Sequence, residues 1–500
     1  MFSVWRLAWV AHQLTADPSR LFDTNIFWPQ TNTLAYSDAM LLLGMAGAPF
    51  IWAGVHPIAV HNILVLGAFV TAALGAAYLM RYFTPSRPAQ VIAGIIFAFA
   101  PYRFAHIGHL ELLWTAFLPL SLLGVYRMLE QPTLRRGAAF GLAVGLQALC
   151  SVYYFVFLVI WLVPATLLAP LHVRIQWSRG HLAAGAIAVC TAAVLVAPYV
   201  APYARARADL PPRSETEVHR YSAVATDYLR ASDANRIYPA FESESPEERS
   251  LFVGVIALTL AAIAVVLVRT RMTMTLLLIG LAAADLSLGV NGLTYNLLRE
   301  TIAPLAGLRA PARFAVLVLL SVALLAGLGL SQLLSRATSR RKRLVTAALV
   351  AGLAVEYWST PITTRQLPTT PPPVYAWLAG EPHRVLLELP VPTPESLWLN
   401  ETSYQFFSIY HWQTLANGYS GYAPASYVRM LEVMRDFPSE SSVQFLRAQG
   451  VDLVVFHRHF LAADEFERLL EGCRNQEWFS EVVTFEWVME QDSIACRVSL

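Results

Sequence analysis

Ionisable residues of three types come together where the chain passes from one apolar run to the next. Arg103, His106, His109 and Glu111 lie there, and the two histidines are three positions apart. Imidazole and carboxylate groups can move a proton, and a guanidinium group can hold an anion. Glu111 stands where the next apolar run enters a bilayer, and an ionisable group there costs free energy unless it is paired or solvated. The stretch is therefore a candidate site, with hydrogen-bonded interface residues as the structural alternative.

The same stretch is a poor candidate for a metal site. Two histidines and one glutamate so close together do not give the ligand spacing that is typical of zinc sites. The sequence predicts no cofactor and no metal ligands, and a divalent metal ion is the one addition that it leaves open.

Arginines in two further polar segments could bind a phosphate group. Arg230 lies in the long polar segment 202–249, and Arg309 and Arg313 flank a proline at the start of an apolar run. A guanidinium group matches phosphate oxygens in a two-pronged geometry. The alternatives are a solvated surface for the long segment and membrane-interface anchors for the pair.

Two carboxylates near the N-terminus belong to a candidate binding surface. Asp23 and Asp38 lie among aromatic residues and prolines, ahead of the longest apolar runs. We interpret residues 1–57 as a water-facing segment that begins with a short amphipathic stretch.

The C-terminal tail holds a run that is typical of sugar binding. His411, Asn417 and Tyr419 lie in a stretch rich in aromatic, polar and glycine residues. Aromatic faces stack on sugar rings, and amides and imidazoles bond to hydroxyl groups. A glycine-rich packing turn explains the same pattern equally well.

The composition places all of these residues in a membrane protein. Hydrophobic residues make up 56% of the 500-residue chain, charged residues only 14%, and the mean hydropathy is +0.48. The net charge is +2 and no basic stripe interleaved with aromatic residues is present, so we expect no nucleic-acid partner. Runs of about 20 apolar residues cross a bilayer, and the runs present predict about ten spans. They lie near 58–82, 88–101, 107–129, 137–151, 153–171, 181–201, 250–268, 272–290, 312–334 and 344–358.

The arginines predict how the spans are oriented, because short cytoplasmic loops are enriched in them. The arginine-bearing loops alternate with polar segments, so 1–57, 202–249 and the tail would lie outside. The predicted fold class is mainly α, a polytopic helix bundle over 58–358 with a soluble C-terminal α/β domain over 359–500. The apolar run 39–55 is broken by glycine and proline, and we interpret it as an interfacial or re-entrant piece.

The tail alternates strand-like and helix-like runs. Strands are predicted at 384–390, 451–456, 482–489 and 493–500, and a helix at 463–472. Of the four cysteines, Cys150 and Cys190 lie in apolar runs, whereas Cys473 and Cys496 lie in the tail. If the tail is outside, a disulfide bond between the last two is an open alternative to free thiols.

Six stretches of the sequence match a known family pattern, namely Leu21–Pro29, Tyr36–Asp38, Phe97–Arg103, His106–Leu110, Leu308–Phe314 and Asn417–Gly421. Their order resembles the GT-C superfamily of bacterial membrane glycosyltransferases, the group that includes YfhO-like and other polyprenol-phosphate-sugar-dependent enzymes. The resemblance implies a lipid-linked sugar donor, a cell-envelope glycan, lipid or protein acceptor, and an inverting transfer on the outer face of the inner membrane. It implies catalytic roles for Asp23, Asp38 or Glu111 and substrate contacts for the other candidates.

The sequence departs from that family pattern at its start. Such enzymes begin with a span, and their base is usually an acidic residue just after it, whereas here the water-facing segment opens at Met1. We therefore expect Met1 to be an internal or misassigned start, or else the chain to be a weak or inactive member of the family.

Two other classes of function compete with glycosyl transfer. A transporter or flippase of lipid-linked glycan would need charged residues near the bilayer midplane, and only Asp285 and Glu356 lie inside late spans, both towards the outer end. A non-catalytic membrane protein that binds glycan would use the helix bundle only as an anchor. The polar residues on four separate outer loops argue against that role.

Overall fold

Two compact units make up the chain. The computed structural model describes residues 1–238, 246–362, 364–393, 400–474, 478–485 and 493–498. One unit, here called the terminal unit, comprises Met1–His61, Tyr199–Pro211 and Arg365–Leu500. The other, here called the membrane unit, comprises Asn62–Pro198 and Pro212–Thr364.

Helices account for most of the described residues, and strands are confined to the tail. The helices are α1 Phe2–Ala16, α2 Leu41–Trp52, α3 Pro57–Phe83, α4 Arg87–Phe99, α5 Pro101–Ala105, α6 Leu110–Leu113, α7 Phe117–Glu130, α8 Leu134–Cys150, α9 Val152–Leu168, α10 Arg179–Asp209, α11 Glu215–Arg220, α12 Val255–Ile263, α13 Arg271–Ser287, α14 Tyr295–Thr301, α15 Ala303–Ala306, α16 Ala315–Leu333, α17 Ser339–Glu356, α18 Pro373–Gly380, α19 Glu401–Phe407, α20 Ala425–Met434, α21 Glu440–Ala448 and α22 Ala463–Cys473. The strands are β1 Val385–Leu389, β2 Thr414–Leu415, β3 Leu453–His457, β4 Phe479–Phe485 and β5 Ser493–Val498.

Six helices in the described part of the chain are long and apolar enough to cross a membrane. Each coincides with a predicted span, and the other four predicted spans stay predictions. Two of those four correspond to α8 and α13, which have 17 residues each. The apolar run 39–55 forms α2, a helix of 12 residues with a proline inside it. The six helices are Pro57–Phe83, Arg87–Ala105, Leu110–Glu130, Val152–Leu171, Arg179–Ala208 and Pro311–Leu333.

Helix α16 lies in the core of the membrane unit because it is apolar on every side. The span Pro311–Leu333 includes α16, and 89% of its most apolar 18-residue stretch is buried. Helix α16 packs against α4, α12 and α13. A Cβ atom built on Gly329 would lie 2.0 Å from the carbonyl oxygen of Leu260 in α12. Glycine at this position therefore lets the two helix backbones approach, as small residues do in membrane bundles.

A five-stranded sheet forms the centre of the terminal unit. Its order is β2-β1-β3-β5-β4, with β1 parallel to β2 and β3, and with β5 antiparallel to β3 and β4. Strands β1 and β3 are buried along nearly their whole length, as their continuous apolar sequences require. The predicted strands and helix of the tail are confirmed, although β4 begins earlier than predicted and positions 486–489 lie outside the described residues.

The N-terminal segment of the chain is hydrogen-bonded to the edge of this sheet. The amide of Leu415 in β2 donates to the carbonyl of Asn25 at 2.8 Å, and the amide of Trp28 donates back to Leu415 at 3.0 Å. The amide of Phe27 donates to the carbonyl of Asn417 at 2.9 Å. Residues from the two ends of the sequence thus fold as one unit, and the short edge strand β2 is covered.

The cysteines fall into two groups. Cys150 and Cys190 are reduced thiols, whereas Cys496 in β5 is disulfide-bonded. The side chain of Cys473 lies outside the described part of the structure, so its predicted pairing with Cys496 stays a prediction.

Candidate functional site

The connection between α5 and α6 is closed by a buried arginine. Arg103 donates from Nη1 to the carbonyl of Leu112 at 3.2 Å, and from Nη2 to the carbonyl of Leu113. Its side chain is fully buried. These contacts are internal to the turn, so Arg103 positions the residues between α5 and α6, and its predicted contact with substrate stays a prediction.

Arg313 and Glu248 form a buried two-pronged ion pair beside this turn. Arg313 Nη2 lies 2.6 Å from Glu248 Oε1, and Arg313 Nε lies 3.2 Å from Oε2. Burial alone would raise the pKa of Glu248, but the Arg313 cation and His109 outweigh it and lower the pKa to about 2. Glu248 therefore carries a negative charge at any physiological pH.

His109 lies between two carboxylates. Its Nδ1 is 3.6 Å from Glu111 Oε1, and its Nε2 is 3.7 Å from Glu248 Oε1. The His109 side chain is 38% exposed, whereas Glu111 and Glu248 are largely buried. We call His109, Glu111, Glu248 and Arg313 the His109 cluster, and its accessible member is the imidazole.

His106 is a buried neighbour of this cluster. Its Nδ1 bonds to the carbonyl of Tyr102 at 2.9 Å, and its buried Nε2 has no hydrogen-bond partner among the described residues. Burial lowers the pKa of His106 to about 4, so the ring is neutral at neutral pH. This histidine lies near Glu248 and Arg313 without adding charge.

Arg309 forms a second, more accessible cationic position. Its Nη1 lies 3.7 Å from Glu217 Oε1, and its guanidinium lies 5.2 Å from the centre of the Tyr221 ring. The side chain is 29% exposed. Glu217 also accepts a hydrogen bond from Arg213 at 3.2 Å, so its carboxylate pairs with two guanidinium groups.

Tyr153 links the two arginine positions. Its hydroxyl accepts a hydrogen bond from the amide of Ala310 at 2.6 Å, and the Arg313 guanidinium lies 4.6 Å from the centre of its ring. The turn that carries Arg309 and Arg313 is thereby fixed to the start of α9. The structure thus brings five predicted site residues into one region of the membrane unit, namely His106, His109, Glu111, Arg309 and Arg313.

Glu248 is a member of this region that the sequence did not indicate. It lies in the short turn Glu247–Arg249, which is held by a buried ion pair between Arg249 Nε and Asp227 Oδ2 at 2.7 Å. The only signal in the sequence is a run of acidic residues in a polar segment, which is typical of a solvated surface. Its partner Arg313 is 65 positions away, a separation that no local pattern reports.

Arg230 supports the same turn from its other end. Its Nη2 lies 3.4 Å from Asp233 Oδ1 and 3.7 Å from Glu247 Oε2, and the side chain is buried. The carbonyl of Arg230 accepts a hydrogen bond from the amide of Phe252 at 3.0 Å. These contacts give Arg230 a structural role, and its predicted substrate contact stays a prediction.

The predicted aspartates lie in the terminal unit, on the connection between α1 and α2. Asp23 accepts a hydrogen bond from the amide of Asn32 at 2.9 Å and lies 3.7 Å from Arg20. Asp38 is buried, and its backbone carbonyl accepts a hydrogen bond from Arg6 at 2.6 Å. Both therefore take part in holding this connection, and their predicted catalytic roles stay predictions.

The same connection carries unusual backbone conformations. Phe27, Asn32 and Met40 have φ values of 60°, 55° and 53°. A bulky side chain at such a φ costs free energy, of order 1–3 kcal/mol, and persists only where surrounding contacts fix it. For Phe27 the fixing contacts are the bond from its amide to the carbonyl of Asn417 and the packing of its ring against Gly418 and Tyr427.

The predicted sugar-binding residues of the tail lie mostly inside the terminal unit. Asn417 is fully buried and exchanges hydrogen bonds with the Glu388 backbone at 2.6 and 2.9 Å. His411 accepts from the amide of Gln413 at 3.0 Å, and burial lowers the His411 pKa to about 3. Tyr419 packs edge-on against Phe2. A sugar contact by Asn417 would require its internal hydrogen bonds to break, and all three roles stay predictions.

Among the described residues, no group of three or more His, Cys, Asp or Glu side chains is placed to hold a metal ion. The sequence prediction about cofactors and metals stays a prediction.

Comparison with known proteins identifies the fold. No protein-family model and no curated protein matches the chain. The cryo-electron-microscopy structure of the mycobacterial arabinofuranosyltransferase AftD is similar, with a TM-score of 0.58 at 15% identity. The chain therefore shares its fold with part of AftD. The match covers 90% of this chain and 34% of the AftD chain, so the chain spans about a third of that protein.

A second solved structure is less similar. It is the archaeal oligosaccharyltransferase AglB from Archaeoglobus fulgidus in complex with an inhibitory peptide and a dolichol-phosphate. The TM-score is 0.47 at 11% identity, and the match covers 97% of this chain and 69% of AglB. At that TM-score the likeness supports no conclusion.

Proposed function

We propose that this chain is a GT-C-type glycosyltransferase of the bacterial inner membrane. It would move a sugar from a polyprenyl-phosphate-linked donor to a cell-envelope glycan, lipid or protein acceptor on the outer face, where the tail would also lie. The observation that carries the proposal is the His109 cluster with Arg309. An accessible imidazole, fixed carboxylates and an accessible guanidinium lie together at helix ends, in a fold similar to that of a known arabinofuranosyltransferase.

The reaction that this arrangement supports is a single displacement. The acceptor hydroxyl oxygen forms a bond to the anomeric carbon of the donor sugar, and the bond between that carbon and the phosphate oxygen breaks. The hydroxyl proton passes to a base, and the polyprenyl phosphate leaves with the electron pair. His109 is the most accessible candidate for the base, with Glu111 beside it, and Asp23 and Asp38 are the candidates in the terminal unit.

Arg309 is the better candidate for contact with the departing phosphate. Arg313 is buried and already uses two nitrogens on Glu248. Arg309 is 29% exposed and has a longer ion pair, 3.7 Å, with Glu217. A cation that faces the developing phosphate charge stabilises the transition state more than the ground state.

Replacing Arg309 tests this assignment. We expect Arg309→Ala to lower the rate of sugar transfer by about 10²- to 10³-fold, because one charge-stabilising donor is lost. The assay follows transfer from a panel of radiolabelled polyprenyl-phosphate pentoses and hexoses in inner-membrane vesicles that supply the acceptor. Arg340→Ala is the matched control, because Arg340 is an exposed arginine at the start of α17.

The same vesicles separate glycosyl transfer from its competitors. If Arg309→Ala transferred sugar at the native rate, the assignment of Arg309 to the site would be wrong. Absence of transfer by the native chain, together with movement of intact lipid-linked sugar across the vesicle, would instead show a transporter.

A further inference from the structure

Trp28 presents its carbon face to solvent and turns its polar edge inward. The side chain is 42% exposed, yet its indole N–H donates to the backbone carbonyl of Gln449 at 2.8 Å. With its N–H bonded to the protein, the indole keeps a flat apolar surface that is partly open to solvent. The polar side chains beside the ring distinguish Trp28 from other exposed tryptophans.

Hydrogen bonds hold both the ring and the backbone of Trp28. The indole donates to Gln449, and the backbone amide donates to the carbonyl of Leu415 at the edge of the sheet, at 3.0 Å. Few rotational states are therefore lost when a ligand contacts the ring. Such preorganisation lowers the entropy cost of binding.

Trp28 borders a small cleft in which uncharged polar groups lie among apolar ones. Gln30 Nε2 donates to Ser426 Oγ at 2.9 Å, and Ser426 and Gln449 line the same cleft as Trp28. The rest of the lining is apolar or aromatic, and no charged side chain of the described residues lines the cleft. A Cβ atom built on Gly450 would meet nothing within 4 Å, so the space beside Gln449 is open.

We propose that Trp28, Gln30, Ser426 and Gln449 form a glycan-binding surface, on which a neutral sugar ring stacks against the indole. One side of a sugar ring carries C–H groups, which pack on an aromatic face, and its edge carries hydroxyls, which bond to amide and hydroxyl side chains. The absence of charge among the residues that line the cleft argues against a phosphate or an acidic peptide. That the bound glycan is the growing acceptor rests on the proposed function. The surface itself is inferred from the geometry alone.

The experiment measures glycan binding by the full chain in lipid nanodiscs. The probe is an array of bacterial envelope glycans and synthetic pyranose and furanose oligosaccharides. We expect the native chain to bind a subset of them, and Trp28→Ala to weaken that binding about tenfold or more, as removal of a tryptophan anchor does. Trp28→Tyr keeps a flat ring and should keep most of the binding.

Trp52→Ala is the matched control. Trp52 belongs to the same unit, is 53% exposed, and also donates its indole N–H to a backbone carbonyl, that of Ala11 at 3.0 Å. Its variant should bind as the native chain does, and equal thermal unfolding temperatures would show that all variants fold.

Three results would overturn the proposal. They are failure of the native chain to bind any glycan of the array, native binding by Trp28→Ala, and equal losses in Trp28→Ala and Trp28→Tyr. Sugar transfer by the native chain, measured on the same samples, keeps this inference separate from the proposed function, because failure of that transfer would count against the proposed function alone.

Discussion

His109 differs from its ionisable neighbours in being accessible. The carboxylates on either side of it are largely buried and fixed, Glu248 by Arg313 and Glu111 at the start of α6. An imidazole so placed can accept a proton from a bound hydroxyl group while its orientation is kept by its neighbours. The buried pair between Glu248 and Arg313 supports His109, and the predicted substrate contact of Arg313 stays a prediction.

Another buried carboxylate, Glu401, lies in the terminal unit and leads to a prediction about how stability depends on pH. It accepts hydrogen bonds from Asn417 Nδ2 and from the amide of Gly418 at 3.1 and 2.7 Å. Burial raises its pKa from 4.5 to about 8, against these hydrogen bonds, which lower it. The folded state therefore binds this proton more tightly than the unfolded state does, so the resulting stability is complete below pH 4.5 and is lost as the pH rises towards 8.

We expect Glu401→Gln to remove this loss, because the amide is neutral at every pH. The measurement is the thermal unfolding temperature of the full chain in detergent between pH 4.5 and 8. Glu440→Gln, at the exposed start of α21, is the control and should keep the native slope. Equal slopes in Glu401→Gln and the native chain would contradict the pKa assigned to Glu401.

At the level of elements, close helix packing positions the site. Arg313 precedes α16, and α16 packs against α12 through Gly329, where a Cβ atom would lie 2.0 Å from a backbone carbonyl. The start of α16 is further tied to α9 through the hydroxyl of Tyr153. The position of the Arg313 guanidinium therefore depends on helix contacts well away from it.

Gly329→Ala tests the contact between α12 and α16. We expect it to destabilise the chain by about 1–3 kcal/mol, because the added methyl group forces the two backbones apart. Thermal and denaturant unfolding in detergent measure the change. Gly185→Ala is the control, because Gly185 lies in a helix of the membrane unit and its added Cβ would meet nothing within 4 Å. A similar small effect for both variants would show that the predicted close approach is not needed.

The sequence predicted those residues of the candidate site that lie close to one another along the chain. His106, His109 and Glu111 fall within one turn, and Arg309 and Arg313 within another, so spacing and membrane position were enough to single them out. It did not predict Glu248, because the Arg313 pair joins residues 65 positions apart. Nor did it distinguish Arg103 and Asn417 as internal residues, because residue type alone does not tell a buried hydrogen-bond donor from a substrate contact.

For the whole molecule, the least predictable feature was the composition of the terminal unit. Strand-like runs in the tail follow from their apolar, β-branched sequences. The pairing of Asn25–Trp28 with β2 joins the two ends of the sequence, and nothing in either segment alone reports it. The fold class was predictable in outline, since the apolar composition requires a helix bundle and the tail alternates strand-like and helix-like runs.

The most direct test of glycosyl transfer is made on the purified chain with a single change at His109. We predict that the chain, reconstituted in liposomes with an envelope acceptor, transfers sugar from a polyprenyl-phosphate donor, and that His109→Ala lowers the rate about 10²- to 10⁴-fold. His383→Ala, at an exposed histidine of the terminal unit, should transfer at the native rate. Native transfer by His109→Ala would contradict the role of the His109 cluster, and no transfer by the native chain from any donor of the panel would contradict the proposed function itself.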